Sequence, residues 1–188
     1  VGFAVVPAIG FIYGIIRGAY KYRVHHAKIK SNKLPAEFNG FKIVQISDIH
    51  TGSFFNTNAL EHAFEIVMQQ KADLILFTGD LVNNRADETI GFESIYAKLN
   101  APCGVYSVLG NHDYGDYVKW PDGEKEKNLE KLKEIQKKCG WRLLMNEHVA
   151  IKRGESKIAL LGIENWGGKG HFPKYGKMHL AHANTEEY

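Results

Sequence analysis

The chain has 188 residues, 44% of them hydrophobic, with a formal net charge of +3 and two cysteines. Two cysteines exclude a disulfide-stapled scaffold. Cys103 and Cys139 also lack metal-site spacing, so both read as packing positions in a reducing compartment. No repeat or low-complexity segment is present.

Taken in chain order, residues 1–16 (VGFAVVPAIGFIYGII) carry no charge. The run falls short of the ~20 residues that span a bilayer. Positive charge follows it instead of preceding it, unlike a signal peptide. We read residues 1–18 as a truncated transmembrane helix, with Gly10, Gly14 and Gly18 at the spacing that lets it pack on other membrane helices. Arg17, Lys21, Arg23, Lys28, Lys30 and Lys33 then precede the first acidic residue, Glu37. A basic segment over 19–36, just after an apolar helix, fits the positive-inside rule and attraction to anionic headgroups. It is not read as a nucleic-acid patch, and no nucleic-acid partner is expected. The expected location is the cell membrane, with the following domain on its cytoplasmic face.

Roughly 150 residues follow, enough for one core. Phe41 to Ser47 predicts a buried strand after the Asn39-Gly40 turn, and Asp48 and His50 come next. In an extended chain, residues two apart share a side, so this carboxylate and imidazole are expected to face one point. Asn58 to Gln70 predicts a helix with Leu60, Phe64 and Val67 on one face. Asp73 to Thr78 predicts a second strand, where Gly79 permits the sharp exit that sets Asp80 at the sheet edge. A helix is expected from Asp87 to Leu99, with Asn58 and Asp87 as helix caps. Val105 to Leu109 predicts a third strand, followed by Gly110, Asn111 and His112. Lys125 to Lys138 reads as a solvated surface helix with Leu129, Leu132 and Ile135 on one face and Glu134 paired to Lys138. Two strands, His148 to Lys152 and Lys157 to Ile163, then flank the Arg153-Gly154-Glu155 turn.

One Asp behind a strand is more often a turn former than a ligand. Three buried strands in succession that end in metal-capable side chains are a different matter, because open α/β sheets build their sites at the carboxyl ends of strands. Carboxylate, amide oxygen and imidazole without thiolate suit Mn, Fe(II), Zn or Mg.

The segments SDIHTG (47–52), FTGDLVNN (77–84) and LGNHDY (109–114) resemble the first three blocks of the calcineurin-like metallophosphoesterases, over about residues 41–165. The resemblance leans toward the membrane-associated branch of that family. It implies that residues 37–188 are the N-terminal portion of an α/β sandwich of the metallophosphoesterase type. It also implies two divalent metal ions, Mn, Fe or Zn with Mg as a further candidate. Asp48, His50 and Asp80 would hold one ion, Asp80 and Asn111 the other, and His112 would be the catalytic histidine. A hydroxide bridging ions about 3.5–4 Å apart would attack phosphorus in line, and the histidine would assist the leaving oxygen.

The family pattern continues with a Gly-His block and a Gly-His-x-His block, and the second is absent here. Gly170-His171 sits in a Gly- and Lys-rich stretch, and His179 and His182 in a short helix or loop, so none is assigned. The chain starts at Val1 and stops at Tyr188 inside a polar segment. The expectation is a fragment truncated at both ends, inactive alone, with the remaining ligands beyond residue 188. The implied substrate is a phosphorylated small molecule or a lipid-linked phosphate ester or pyrophosphate. The alternative is a non-catalytic domain of this fold that binds metal or nucleotide and regulates a partner. Specificity is expected from loops carrying Asn83, Asn84, Tyr114 to Trp120 and Asn165 to Gly170, and no role is assigned to Tyr117, Trp120 or Trp166.

Overall fold

The computed structural model describes residues 7, 10, 14, 18, 20–167 and 173–185. The chain divides into two compact units, Val1–Asn32 and Lys33–Tyr188. In the first, residues 21–31 form no regular element, and Lys21, Arg23, Lys28 and Lys30 are exposed. The expected membrane helix over 1–18 lies outside the described residues, save Pro7, Gly10, Gly14 and Gly18. Among the described residues no helix is long and apolar enough to cross a membrane.

The second unit is α/β. Four parallel strands, β1 (Ile43–Ile46), β2 (Leu74–Phe77), β3 (Val105–Ser107) and β4 (Trp141–Leu143), lie side by side in sequence order. Ile43 pairs with Leu74, Ile75 with Val105, and Val105 with Trp141. Parallel strands need crossovers, and right-handed crossovers that step across a sheet in one direction all fall on one face. The connecting helices α1 (Asn58–Gln69), α2 (Glu93–Tyr96) and α3 (Glu124–Lys138) accordingly share one core. Leu60, Phe64, Ile95 and Leu132 meet Ile75, Phe77, Val105 and Trp141 there. Leu74 and Leu76 point the other way, against Phe38, Val149 and Ile151 of a second core. That face is covered by an antiparallel hairpin of β5 (Glu147–Arg153) and β6 (Ser156–Gly162). A short helix α4 (Met178–Ala181) follows. Strand β2 is thus buried on both sides, which is why its sequence is a continuous apolar run instead of an alternation.

Several expectations change in detail. Strand β1, expected to be buried, is an edge strand of the sheet, with Ile43 48% exposed and Val44 and Ile46 half-buried. The helix expected over Asp87 to Leu99 is split into a 3-10 turn, Ala86–Thr89, and α2. Gly91, at φ +85°, breaks it and leaves Ile90 66% exposed, while Ile95 and Leu99 stay buried as the pattern required. Neither Asn58 nor Asp87 caps a helix. Asn58 is the first residue of α1, and its N–H is bound by the Asn56 side chain; in the turn, Glu88 accepts from the Arg85 N–H. Helix α3 is solvated on one face only, where Lys138 and Glu134 lie 3.8 Å apart. Its Leu132, Ile135 and Gln136 are buried against the sheet, with the Ser107 hydroxyl donating to Gln136 at 2.6 Å. Strand β4 has no expectation behind it, since three residues are too short to show a period.

Candidate metal centre

Because β1, β2 and β3 run parallel, their carboxyl ends meet at one edge of the sheet. Past those ends the pairing continues irregularly. The N–H groups of Asp48, His50 and Thr51 donate to the carbonyls of Gly79, Asp80 and Leu81 at 2.9–3.0 Å. Asp48, His50 and Asp80 all take left-handed backbone angles, with φ of 54°, 49° and 60°. The extended geometry expected of Asp48-Ile49-His50 is therefore absent. Their side chains converge because both residues turn left-handed just past the strand, a conformation that costs non-glycine residues of order 1 kcal/mol each and clusters at functional sites.

Two glycines allow the loops to touch. A Cβ on Gly79 would lie 2.3 Å from the Gly110 nitrogen, and one on Gly110 would lie 2.2 Å from Asp80 Oδ1. Asp113 then ties the junction together. Wholly buried, its carboxylate accepts from the N–H groups of Asp80 (2.9 Å), Gly110 (2.9 Å), Leu81 (2.8 Å) and Val82 (3.3 Å). Burial pushes this carboxyl up to about 7, while the backbone N–H groups of Gly110, Val82 and Leu81 pull it down. Every one of these contacts brings a proton to the carboxylate, so both oxygens serve as acceptors. Thr51 adds a second tie, its hydroxyl donating to the Leu81 carbonyl at 2.7 Å and meeting the Tyr96 hydroxyl at 2.6 Å.

In this frame His50, Asp80 and His112 each offer a ligand atom, all within 4.8 Å of one another. His50 Nε2 lies 4.0 Å from Asp80 Oδ2 and 3.9 Å from Asp48 Oδ1. Two donors about 2.1 Å from one cation can stand up to about 4.2 Å apart, so the spacings of His50 Nε2 from Asp48 and Asp80 suit a shared cation. His112 N–H donates to Asp80 Oδ1 at 2.9 Å, and the two imidazoles meet edge to face at 4.7 Å. His112 Nδ1 is 2.7 Å from the Asn83 carbonyl. A carbonyl only accepts, so Nδ1 carries a proton, and in the neutral ring Nε2 holds the lone pair. His50 Nδ1 is 3.1 Å from Asn83 Oδ1. One residue therefore orients both rings. Its backbone is held by Glu88, whose carboxylate accepts from the N–H groups of Asn83, Asn84 and Arg85 at 2.6–2.9 Å.

Sequence reasoning marked Asn83 only as a loop candidate and missed Glu88 and Asp113. The Asp next to His112 and the Glu five residues past Asn83 were visible, but the partners they bind were not. The other expected residues fall as follows. Asp48 is close to His50 but mostly exposed; Asn111 donates through Nδ2 to the Tyr117 hydroxyl at 2.7 Å, and the Tyr117 ring lies 4.6 Å from that of His112. Trp120 is structural, donating to the Gly115 carbonyl at 2.7 Å with the Arg85 guanidinium over its ring. His171 lies outside the described residues; His179 and His182 are in and just after α4. A cleft of about 480 Å³ is lined by Asp48, Asp80 and Asn111 together with Ile163, Trp166 and Met178.

Carboxylate and imidazole donors gathered at the carboxyl ends of a parallel sheet make this a metal-binding α/β domain by chemistry and position. The chain belongs to the calcineurin-like phosphoesterase family, whose pattern matches residues 41–181. It is similar to the uncharacterized metallophosphoesterase YkuE of Bacillus subtilis, at 41% identity over 92 residues, 47% of this chain and 32% of that protein. A transmembrane protein with metallophosphoesterase domain from Danio rerio is 26% identical over 164 residues, 86% of this chain and 35% of that protein. UDP-2,3-diacylglucosamine pyrophosphatase LpxG of Chlamydia muridarum is 34% identical over 90 residues, 46% of this chain and 27% of that protein. The matched part is about a third of the length of each of these relatives.

Proposed function

We propose that this chain is part of a metal-dependent phosphohydrolase that cleaves a phosphate ester or pyrophosphate bond at a membrane surface. The observation that carries the reading is the convergence of His50, Asp80 and His112, with the Nδ1 atoms of both imidazoles turned onto Asn83. In this reading Asp48, His50 and Asp80 hold one divalent cation, and Asp80 and Asn111 a second. Cations there supply an activated water and neutralise phosphoryl oxygens. His112 works through Nε2: when protonated, it gives that proton to the leaving oxygen while its Nδ1–H stays on the Asn83 carbonyl. Tyr117 fixes the Asn111 amide through Nδ2, which leaves Oδ1 as the ligand atom.

The basic segment at 19–36, the transmembrane protein of Danio rerio and the UDP-2,3-diacylglucosamine pyrophosphatase LpxG support a membrane setting and a lipid-linked substrate. The division into a membrane helix at 1–18, a basic segment at 19–36 and a catalytic domain from 37 belongs to the same proposal. The test is hydrolysis of bis-(p-nitrophenyl) phosphate by the full-length protein with Mn²⁺, with EDTA, and in Asp80→Ala and His112→Ala. Metal-dependent turnover lost in both variants supports the reading. Stoichiometric metal binding without turnover on this ester or on lipid pyrophosphates sinks it in favour of a regulatory binding domain.

A further inference from the structure

The cleft lining brings two kinds of side chain together. Asp48, Asp80 and Asn111 share it with Ile163, Trp166 and Met178. Trp166 is 53% and Met178 45% exposed, so large apolar surface stays open to solvent beside the ligand cluster.

The chain segments that carry the apolar residues are tied together. The N–H groups of Tyr175 and Gly176 donate to the Asn165 carbonyl at 3.0 and 2.8 Å, Asn165 Nδ2 donates to the Pro173 carbonyl at 3.0 Å, and the Lys177 N–H donates to Asn146 Oδ1 at 2.6 Å. A Cβ on Gly176 would lie 2.7 Å from the Glu164 carbonyl, so the two strands of chain are in direct contact. Glu164 is held in turn by the Tyr114 hydroxyl at 2.7 Å and by the Asn146 amide. The amide donor of Asn165 and the carboxylate of Glu164 are thus spent on internal bonds. What Ile163, Trp166 and Met178 bring to the lining is a branched aliphatic chain, an indole and a thioether. A nucleobase would need hydrogen-bonding partners for its edge; a hydrocarbon chain needs none. Lys174 Nζ, 4.5 Å from the Trp166 ring centroid, places a positive charge beside the indole.

We propose that Ile163, Trp166 and Met178 form the subsite for the hydrocarbon chain of an alkyl or acyl phosphate ester whose phosphoryl group lies at Asp48, Asp80 and Asn111 in the same cleft. The proposal rests on the phosphohydrolase reading and names its substrate class. Burial of two methylenes is enough for about a tenfold gain in affinity.

The experiment uses the full-length protein with Zn²⁺, which is diamagnetic, and methyl-labelled methionine. Decyl phosphate, below its micelle-forming concentration, is compared with methyl phosphate. The expected result is that decyl phosphate binds at least about tenfold more tightly and shifts the Met178 methyl signal while those of Met68 and Met145 stay in place. Trp166→Ala should remove most of that gain and leave methyl phosphate affinity unchanged; Met178→Ala, at an exposed position, provides a second variant if the first folds poorly. Zn²⁺-dependent binding of methyl phosphate without a chain-length gain overturns the subsite and leaves the phosphohydrolase reading intact. No Zn²⁺-dependent binding of either ester overturns both.

Discussion

The backbone carbonyl of Asn83 lies 2.7 Å from Nδ1 of His112 and fixes that ring with its Nε2 lone pair free. The side chain of the same residue meets His50 Nδ1 at 3.1 Å. The two contacts separate under mutation, because only one depends on the side chain. Asn83→Ala should free His50, and with it the Ser53 hydroxyl, but not His112, and weaken divalent metal binding about 10–100-fold. Asn83→Asp keeps an acceptor for Nδ1 and should recover most of the loss. Calorimetric metal titration of the three proteins checks this, and equal affinities would remove Asn83 from the site.

Gly110 touches Asp80 so closely that a Cβ would lie 2.2 Å from Oδ1. Gly110→Ala should therefore push the Asp80 carboxylate aside, at a cost of about 1–3 kcal/mol in stability. Metal binding should fall more steeply than urea stability, since the displaced group is itself a ligand. A variant that binds metal normally would show that the loop absorbs the methyl group elsewhere.

Asp113 is the acceptor for four backbone N–H groups, in two loops. Asp113→Ala leaves all four without a partner and should destabilise the domain by about 3–5 kcal/mol. Asp113→Asn matches the shape but turns an NH2 group toward N–H donors, so little of the loss should be regained. Urea unfolding midpoints measure both.

Metal should stabilise the fold by mass action. At a free cation concentration of about 100 times the dissociation constant the gain is about 2.7 kcal/mol, and EDTA should reverse it. Asp80→Ala should abolish the metal-induced rise in Tm. Its metal-free Tm should not fall by the same amount, because the lost carboxylate is a buried charge that no cation then neutralises.

Alkaline pH should unfold the domain early. Burial raises the Tyr96 phenol well above its ordinary 10.0, and burial together with Glu164 raises that of Tyr114. Above about pH 10 the unfolded chain loses these protons while the folded one keeps them. The folded state then binds more protons, so stability falls as pH rises. Tyr96→Phe should flatten the slope of unfolding free energy against pH above about 10, and an unchanged slope would place the titration elsewhere.

How far the sequence reaches differs from element to element. The cores of β1, β2 and β3 and the bounds of α1 and α3 were legible to within a few residues, because apolar period and turn residues are local. The contact of Gly79 with Gly110 was half legible: each glycine marked a sharp exit from its strand, but neither showed that the exits meet. The break at Gly91 shows the limit from the other side, since an apolar pattern that continues through a glycine looks like an unbroken helix until φ is known.

By itself the sequence determined three strands ending in Asp48-Ile49-His50, in Gly79-Asp80 and in Gly110-Asn111-His112, and these motifs sufficed to recognise the family; that the first of them is a partly exposed edge strand and not a buried one came only from the sheet order. Tertiary structure alone decided that β4 exists, since three residues become a strand only by pairing with β3. It also decided that Asp48, His50 and Asp80 turn left-handed, that Asp113 clamps the loop after β2, and that Asn83 orients both imidazoles. The physical reason is range. Periodicity and turn chemistry act over a few residues, whereas these hydrogen bonds join partners about thirty positions apart and exist only once parallel strands bring their carboxyl ends to one edge.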